Sequence, residues 1–286
     1  MGDQHVKSSS KKQKDGYSQL VPAVEQATKI LRFLSSSPGF QTNLKDICST
    51  VGIHNSKGYA ILNTLQRAGY VRRDDNTKLY SLGFGLISLG QRTLEGVPQK
   101  EIAKPFLEGL VKETHCTSLF GLIAADQLVI VGREDYDPDV GVTLRLGRTS
   151  PLTHSATGKA IVAFLPEEEQ RDLLASKDLF FHGKPQNLNR EKLARELKEC
   201  RYRGYAEAVG SVSPLITILA SPVLGPKAYP VGALFIIGIF PKTIVSTYGA
   251  RVAEAARKLS VILGLDSTWP SLKAVENAAK VHGQKL

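Results

Sequence analysis

Residues 43–82 read NLKDICSTVGIHNSKGYAILNTLQRAGYVRRDDNTKLYSL, and this stretch decides the fold of the first part of the chain. Asn43 predicts the start of a short helix, because its side chain is suited to accept hydrogen bonds from the free N–H groups of a first turn. A short turn with one glycine follows. Asn55 or Ser56 is then expected to cap a longer helix, with Gly69 just beyond its end. Two helices joined by a turn of this kind indicate a helix-turn-helix.

The flanking residues extend this motif on both sides. Upstream, the helical spacing of hydrophobic residues predicts a helix that begins near Pro22 and ends at the breaker 35–39. Downstream, a period of two predicts strands at 70–73 and 78–82, joined as a hairpin by the turn 74–77. This order of elements predicts a winged helix-turn-helix. The buried stripe of its longer helix is expected to consist of Ile61, Leu62 and Leu65.

The rest of the chain mixes helices with strands that arrive partly as hairpins, a pattern typical of an α+β fold with an antiparallel sheet. A helix predicted over 84–94, with Leu86, Leu89 and Leu94 near one face, is expected to link the two parts. Further helices are predicted at 99–114, 155–165, 166–176, 190–203 and 244–263. Strands are predicted at 118–125, 128–133, 142–146, 204–208, 216–223 and 231–240.

The positive charge of the 286-residue chain is concentrated near its N-terminus. The net charge is +10, and the first 100 residues alone carry 14 basic and 7 acidic side chains. A locally basic domain favours a polyanionic partner, such as nucleic acid or an anionic membrane surface. Hydrophobic residues make up 42% of the chain, so its length allows two packed domains.

Several classes of protein and of site are disfavoured by the sequence. The longest apolar run, Ala233–Phe240, is far shorter than the roughly 18 residues of a membrane-spanning helix. The N-terminus lacks the apolar segment of a secretory signal, so a cytoplasmic protein is expected. Cys48, Cys116 and Cys200 are too widely spaced for a disulfide framework or a metal-ligand pair. We therefore expect no metal and no cofactor.

The polar face of the longer helix predicts contact with double-stranded DNA. Ser, Asn and Gln side chains read base edges, whereas Lys and Arg bind bases or phosphates. Gly58 is unfavourable within this helix by roughly 1 kcal/mol relative to Ala. It is either a plain propensity cost or a site where the backbone approaches DNA closely. The expected contacts on the helix and the hairpin are Ser56, Lys57, Tyr59, Asn63, Gln66, Arg67, Arg72, Arg73 and Lys78.

Longer motifs in both parts of the chain resemble one family. The first part contains AVEQATKILRFLSSSPG from Ala23, LKDICSTVGI from Leu44 and ILNTLQRAGYVRRDDNTKLYSLG from Ile61. The second part contains PLTHSATGKAIVAFLP at 151–166, GYAEAVG at 204–210 and ASPVLGPKAYPVGALFIIG at 220–238. In this order and spacing the sequence resembles the IclR-type bacterial transcriptional regulators. One departure is the residue Ala60, where the family often has a basic side chain.

The resemblance implies a winged helix-turn-helix, a linker helix and a GAF-like effector-binding domain, assembled as homodimers or dimers of dimers. The implied partners are a pseudo-palindromic DNA operator and a small-molecule effector, and a bound regulator would be associated with the nucleoid. The expected divisions are a disordered basic tail at 1–17, the DNA-binding domain at 18–83, the linker helix at 84–98, the effector-binding domain at 99–270 and a C-terminal tail at 271–286.

The resemblance also implies where an effector binds. The site would lie between the turn before the GK helix and the strands of the second domain. Members that bind small oxoacids tend to have an acid, a Cys and two Ser at four positions that are all apolar here, at Ala208, Ile218, Phe235 and Ile237. An apolar site that lacks donors disfavours a free carboxylate, so we expect an apolar or aromatic effector. The implied lining is Val142, Leu144, Leu152, Ala156, Thr157, Ala208, Ile216, Ile218, Phe235 and Ile237.

Three alternatives stay open at this point. Phe235 and Ile237 fill the site in one of them, which would leave a DNA-binding regulator that responds to no ligand. An enzyme is disfavoured, because no nucleophile elbow frames Ser155 and the residues around Lys159 lack the spacing of a phosphate-binding loop. A membrane-surface or RNA-binding protein is disfavoured by the lack of a basic amphipathic helix and of an RNA-binding aromatic motif.

Overall fold

The computed structural model describes residues 20–37, 39, 41–137, 142, 144–210 and 213–264. The chain forms two compact units that divide between Glu95 and Gly96, called the first and the second unit below. The predicted tails at 1–17 and 271–286 lie outside the described residues. No described helix combines the length and the apolar character needed to cross a membrane.

The first unit is a winged helix-turn-helix, as predicted. Its apolar core is formed by the first three helices together with the first residue of each hairpin strand. The elements in chain order are α1 (Pro22–Ser36), α2 (Leu44–Val51), α3 (Asn55–Arg67), β1 (Val71–Arg73), β2 (Tyr80–Leu82) and α4 (Gly85–Glu95). The buried members of the core are Ile30, Leu34, Ile47, Leu62, Leu65, Val71 and Tyr80.

The turn of the helix-turn-helix is built as the sequence predicts at its first end. Asn43 caps α2 by accepting a hydrogen bond from the Asp46 N–H at 2.9 Å. Gly52 ends α2 in the left-handed conformation, at φ +74°, where glycine avoids the steric cost of a side chain. The predicted start of α3, capped by Asn55 or Ser56, is wrong by one or two residues. His54 is its N-cap, Asn55 is already helical, and no side chain caps this end.

The buried side of α3 explains its glycine. Gly58 is buried together with Leu62 and Leu65, whereas the predicted Ile61 is only half-buried. A Cβ at position 58 would overlap the Sγ of Cys48 on α2. The glycine therefore serves the packing of α2 against α3. The alternative that its backbone approaches DNA is wrong, because this side of α3 faces the core.

The wing is a short antiparallel hairpin with a third, single-bridge strand. Val71 pairs with Leu82 and Arg73 with Tyr80, and Thr42 bridges to Tyr80 on the other side of β2. At the tip, Asp74 accepts hydrogen bonds from the N–H of Asn76 and from both the N–H and the hydroxyl of Thr77. These bonds close the turn that the sequence predicts.

Glycines dock the start of α4 against the end of α3. Gly85 donates a backbone hydrogen bond to the Gly69 carbonyl at 3.0 Å, and Gly83 donates one to Tyr70 at 2.7 Å. A Cβ at position 83 would overlap the Gly69 carbonyl oxygen. The backbones therefore approach as closely as they do only because both positions lack a side chain. None of the residues of α4 is buried. Phe84, just before the helix, and Ile87 and Leu89 on it are exposed.

The second unit is a six-stranded antiparallel sheet with helices on both faces, an α+β fold as predicted. The strands follow the order β5-β4-β3-β8-β7-β6 across the sheet. The strands are β3 (Thr117–Ala124), β4 (Gln127–Glu134), β5 (Thr149–Pro151), β6 (Ala206–Val209), β7 (Thr217–Leu224) and β8 (Pro230–Gly238). The helices are α5 (Pro98–Thr114), α6 (Ser155–Val162), α7 (Glu167–Leu174), α8 (Arg190–Arg203) and α9 (Val245–Ile262).

The two faces of this sheet carry separate apolar clusters. α5 and α9 pack on one face, whereas α6 packs on the other face with α8 behind it. The predicted strand at 142–146 is wrong for the residues that are described there. Val142 and residues 144–146 form no strand of the sheet. The edge strand is β5, which begins a few residues later and pairs with β4.

Candidate nucleic-acid interface and effector site

The outer face of α3 brings most of the predicted DNA contacts together. α3 is helical over Asn55–Arg67, so residues about 3.6 apart share a face. The buried residues of α3 define its inner face, and the predicted contacts lie away from it. Ser56, Lys57, Tyr59, Gln66 and Arg67 are exposed, and Asn63 is half-buried.

The start of α3 adds residues that the sequence analysis missed. A cleft beside this end contains Lys45 and Ser49 of α2 together with His54. Their side chains are exposed, and they leave no mark in the spacing of the hydrophobic residues. Only their position in the motif could have suggested them, because the first helix of a helix-turn-helix crosses the DNA backbone beside the recognition helix.

The wing separates its two arginines. Arg72 lies opposite Ser81 and Arg73 opposite Tyr80, and neighbours along a strand point to opposite faces. Arg72 is exposed, with its guanidinium carbon 4.5 Å from the centre of the Phe84 ring. Arg73 is half-buried, 5.5 Å from the centre of the Tyr80 ring. The two arginines therefore face different surfaces, although the sequence groups them.

The wing tip carries a fixed charge. The hydrogen bonds from Thr77 and Asn76, together with the charge of Lys78, hold the pKa of the Asp74 carboxyl below its ordinary value. Lys78 itself is exposed and takes a left-handed backbone conformation at φ +60°. Since a left-handed lysine is uncommon, the tip conformation is set by the Asp74 turn rather than by the preference of Lys78.

In the second unit, nine of the ten predicted effector-site residues fall in one apolar cluster. Ala156 on α6, Ala208 on β6, Ile218 on β7 and Phe235 on β8 are buried there, and Ile237 lies two residues beyond Phe235. Val142, Leu144, Leu152 and Ile216 are partly buried and pack against them. The fold therefore collects these residues from loops, a helix and three strands. Thr157 is the tenth residue, and it is buried on α6.

The first turn of α6 is strained and incompletely hydrogen-bonded. Ser155 has φ +54°, although it is not glycine, and its side-chain oxygen is buried with no hydrogen-bond partner among the residues that the structure describes. The Thr157 hydroxyl donates to the His154 carbonyl at 3.0 Å. Burial, with the charge of Arg148, lowers the pKa of His154. An unpaired buried hydroxyl is uncommon, and it marks this end of α6 as a polar spot beside the apolar cluster.

A buried ion pair links α6 to its neighbours. The Lys159 Nζ lies 2.8 Å from Glu196 Oε2 on α8 and donates to the Glu207 carbonyl on β6 at 3.2 Å. His182 Nε2 lies 2.8 Å from the same Glu196 oxygen. Burial lowers the pKa of Lys159 more than Glu196 raises it. Burial also acts to raise the pKa of Glu196, but hydrogen bonds and charge from Lys159 and His182 outweigh it and hold that pKa low.

The cysteines of the chain offer no reactive thiolate. Burial raises the pKa of Cys116 to about 11 and that of Cys200 to about 12, and it also raises the pKa of Cys48. All three are buried and free. The thiolate is the reactive form, so thiols of this kind are poor nucleophiles near neutral pH. Within the described residues, no group of three His, Cys, Asp or Glu side chains is arranged to hold a metal ion.

Comparison with known families assigns both units. Residues 23–75 match the family described as IclR helix-turn-helix domain, and residues 91–261 match the family described as bacterial transcriptional regulator IclR C-terminal. The chain belongs to the IclR family. The members of this family are bacterial transcriptional regulators with a DNA-binding helix-turn-helix and a C-terminal effector domain, which confirms the class of function that the sequence indicates.

Two IclR-family relatives align in sequence with this chain over nearly their whole length. The glycerol operon regulatory protein of Streptomyces coelicolor is 28% identical, over 85% of this chain and 97% of the relative. The HTH-type transcriptional repressor AllR of Klebsiella pneumoniae is 26% identical, over 85% and 90%.

Solved structures of IclR-family proteins share the fold. The crystal structure of an IclR transcriptional regulator from Alicyclobacillus acidocaldarius is 25% identical with a TM-score of 0.74, over 86% of this chain and 100% of that one. An IclR homologue from Microbacterium hydrocarbonoxydans, complexed with 4-hydroxybenzoate, is 17% identical with a TM-score of 0.64, over 84% and 98%.

Proposed function

We propose that this IclR-family regulator binds a pseudo-palindromic DNA operator by inserting α3 into the major groove. The observation that carries the proposal is the exposed polar face of α3 over a packed inner face. The contacts on α3 would be Ser56, Lys57, Tyr59, Asn63, Gln66 and Arg67. The wing would add Lys78 and one or both of Arg72 and Arg73 at the backbone or the next groove.

The operator would be read by two copies of the chain. A symmetric site requires a symmetric protein, so we propose a homodimer or a dimer of dimers. The working domain limits are 18–83 for DNA binding, 84–98 for the linker helix and 99–270 for the effector domain. The regulator would act in the cytoplasm and be associated with the nucleoid when bound. We propose that the protein has no catalytic activity, because both matched families are described as parts of transcriptional regulators.

The DNA proposal is tested by salt-dependent binding to a duplex selected from a random pool. Lys57→Ala and Arg67→Ala should each weaken binding, and each lost phosphate contact should lower the slope of log K against log salt by about 1. Lys198→Ala, an exposed change on α8, is the matched control and should leave the slope unchanged. Equal affinity for every duplex and for anionic vesicles would refute operator recognition.

We also propose that the cluster of the second unit binds an apolar or aromatic effector with one anionic end. The apolar part would lie against Ile218 and Phe235. The anionic end would meet the first N–H groups of α6 and the unpaired hydroxyl of Ser155. The homologue that holds 4-hydroxybenzoate supports only the capacity of this fold for such a ligand, so the effector class rests on the residues of this chain.

One observation favours a second candidate, a regulator with a filled site. Phe235 and Ile237 are only 2% and 3% exposed, and both contribute to the packed cluster. Calorimetric titration of the full chain with 4-hydroxybenzoate and with glyoxylate separates the candidates. Aromatic-acid binding that Ser155→Ala weakens supports the effector proposal. No binding of either acid favours the filled site, and tight binding of glyoxylate refutes the apolar site.

A further inference from the structure

Ala60 lies at the centre of the outward face of α3. The inner face is defined by the buried residues of this helix, and a helix of 3.6 residues per turn has one stripe opposite to it. Ala60 is exposed, so no contact among the described residues accounts for its side chain. The opposite stripe consists of Ser56, Ala60, Asn63 and Arg67.

Thr64 extends the apolar character of this position. Its hydroxyl donates a hydrogen bond to the Ala60 carbonyl at 3.0 Å, one turn back along α3. That donor is therefore used within the helix, which leaves the γ-methyl and the acceptor side of the hydroxyl oxygen of the exposed Thr64 for another molecule. Two methyl groups, one turn apart, interrupt a face that is otherwise made of polar and charged side chains. We call Ala60 and Thr64 the methyl pair.

A pair of this kind matches one feature of DNA. In the major groove only thymine presents a methyl group, and alanine and threonine methyls are side-chain groups that contact it. Longer side chains flank the methyl pair, so those side chains contact neighbouring bases or phosphates while the small Ala60 lets the helix approach the groove floor.

We infer that the methyl pair selects a thymine in each half-site, with Ala60 as the specificity-determining contact. This inference rests on the proposed DNA binding. Asn63, on the next turn of the same stripe, is suited to an adenine, because its amide both donates and accepts in the pattern that adenine offers. The half-site is therefore centred on an A·T pair that Ala60 reads by its methyl group.

The test changes the DNA first and the protein second. A site is selected from random duplexes with the full chain, and each thymine is then replaced in turn by deoxyuridine, which removes the methyl group alone. At one thymine per half-site the replacement should weaken binding about fourfold, the effect of losing one buried methyl contact. Anisotropy titration at fixed salt measures it.

Protein variants then identify the residue that reads this thymine. Ala60→Gly should lose most of the difference in affinity between the thymine and uracil duplexes, and Thr64→Ser, which keeps the hydroxyl, should lose the smaller remaining part. Ser56→Ala is the matched control on the same stripe, and it should retain the full effect at that base pair. Folding of each variant is checked by circular dichroism, and the uracil series on the unaltered chain needs no variant.

The outcomes separate this inference from the DNA proposal. Selective binding without a uracil-sensitive position, or with one that Ala60→Gly and Thr64→Ser leave unchanged, overturns the thymine assignment alone. Absence of any preferred duplex overturns both. A uracil effect that falls strongly in Ala60→Gly and less in Thr64→Ser supports the inference.

Discussion

At position 58, helix propensity disfavours glycine, whereas the packing of α3 against α2 requires it. In a helix, glycine is about 1 kcal/mol less favourable than alanine. Against this, the Sγ of Cys48 occupies the space that a Cβ would need, and the side chains of Ile53 and Leu44 lie 3.6 and 3.7 Å from the same point. Overpacking typically costs about 1 to 3 kcal/mol, so packing outweighs helix propensity at this position.

We expect Gly58→Ala to lower the free energy of unfolding of the first unit by about 1 to 3 kcal/mol. Combining it with Cys48→Ala should recover part of the loss, because the smaller side chain makes room for the new Cβ. Gly90→Ala is the matched control, since a Cβ there meets nothing within 4 Å, and it should be neutral or stabilising. Urea denaturation followed by circular dichroism measures all three. A Gly58→Ala variant as stable as the control would contradict the packing role.

Glu196 is the residue of the second unit on which pH acts most clearly. Its pKa is lower in the folded chain than in the unfolded chain, so the folded state binds fewer protons at acidic pH. The stabilisation is therefore complete above the ordinary carboxyl range and is lost as the pH falls through the lowered pKa. The groups that face Glu196 are Lys159, His182 and Lys192.

Glu196→Gln should cost about 3 kcal/mol at neutral pH, because it leaves the buried Lys159 without its counter-charge. The difference between the variant and the unaltered chain should shrink on acidification, where Glu196 is protonated in both its folded and unfolded states. Denaturant titrations at neutral and acidic pH test this, with Glu199→Gln, an exposed change on the same helix, as the control. A pH-independent difference would rule out the charge as the cause.

At the scale of elements, the junction of α3 and α4 is made of backbone. A Cβ at position 83 would overlap the Gly69 carbonyl oxygen, and backbone atoms cannot rotate away as a side chain can. We expect Gly83→Ala to destabilise the first unit at the upper end of about 1 to 3 kcal/mol, with no rescue by any side-chain change. Thermal denaturation is the measurement. A value equal to that of Gly90→Ala would show that the junction tolerates a side chain.

The elements that the sequence predicts well are those with a local signal. Asn43 is both the expected and the observed cap of α2, and the 190–203 helix has its predicted limits. The start of α3 has two better caps in Asn55 and Ser56, yet His54 is used. The packing of Gly58 against α2 fixes the register of α3, and this contact between helices has no local signature.

The strand predicted at 142–146 failed for a related reason. Val142 and Leu144 are half-buried against the cluster that includes α6 without pairing in the sheet, whereas Leu146 is exposed. An alternating pattern of hydrophobic residues indicates that every second side chain is buried, but it does not show that the backbone pairs with a neighbouring strand. The effector-site residues were predicted only through the family resemblance, since no period connects positions collected from loops, α6 and three strands.

At the scale of the whole molecule, each unit has a core of its own. The first unit packs around Leu62 and Tyr80, and the second packs on both faces of its sheet. Units with separate cores are able to unfold separately. We expect calorimetry to resolve two transitions, of which Gly58→Ala lowers only one and Glu196→Gln only the other. A single transition shifted equally by both variants would contradict this division.

The backbone junction between α3 and α4, formed by Gly69, Gly83 and Gly85, fixes one end of α4 to α3. With 11 residues at 1.5 Å per residue, α4 is about 16 Å long, and its first turn is fixed to the end of α3 by backbone hydrogen bonds. A tilt of about 10° at the far end, near Glu95, corresponds to a displacement of about 3 Å there. Because backbone atoms of Gly83 and Gly85 contact Gly69 directly, a rotation of α4 would be passed to the end of α3 through backbone rather than through side chains. A small displacement of the chain at Glu95 would therefore change the angle of α3 and, if α3 is the DNA-reading helix as proposed, the angle at which it enters the groove.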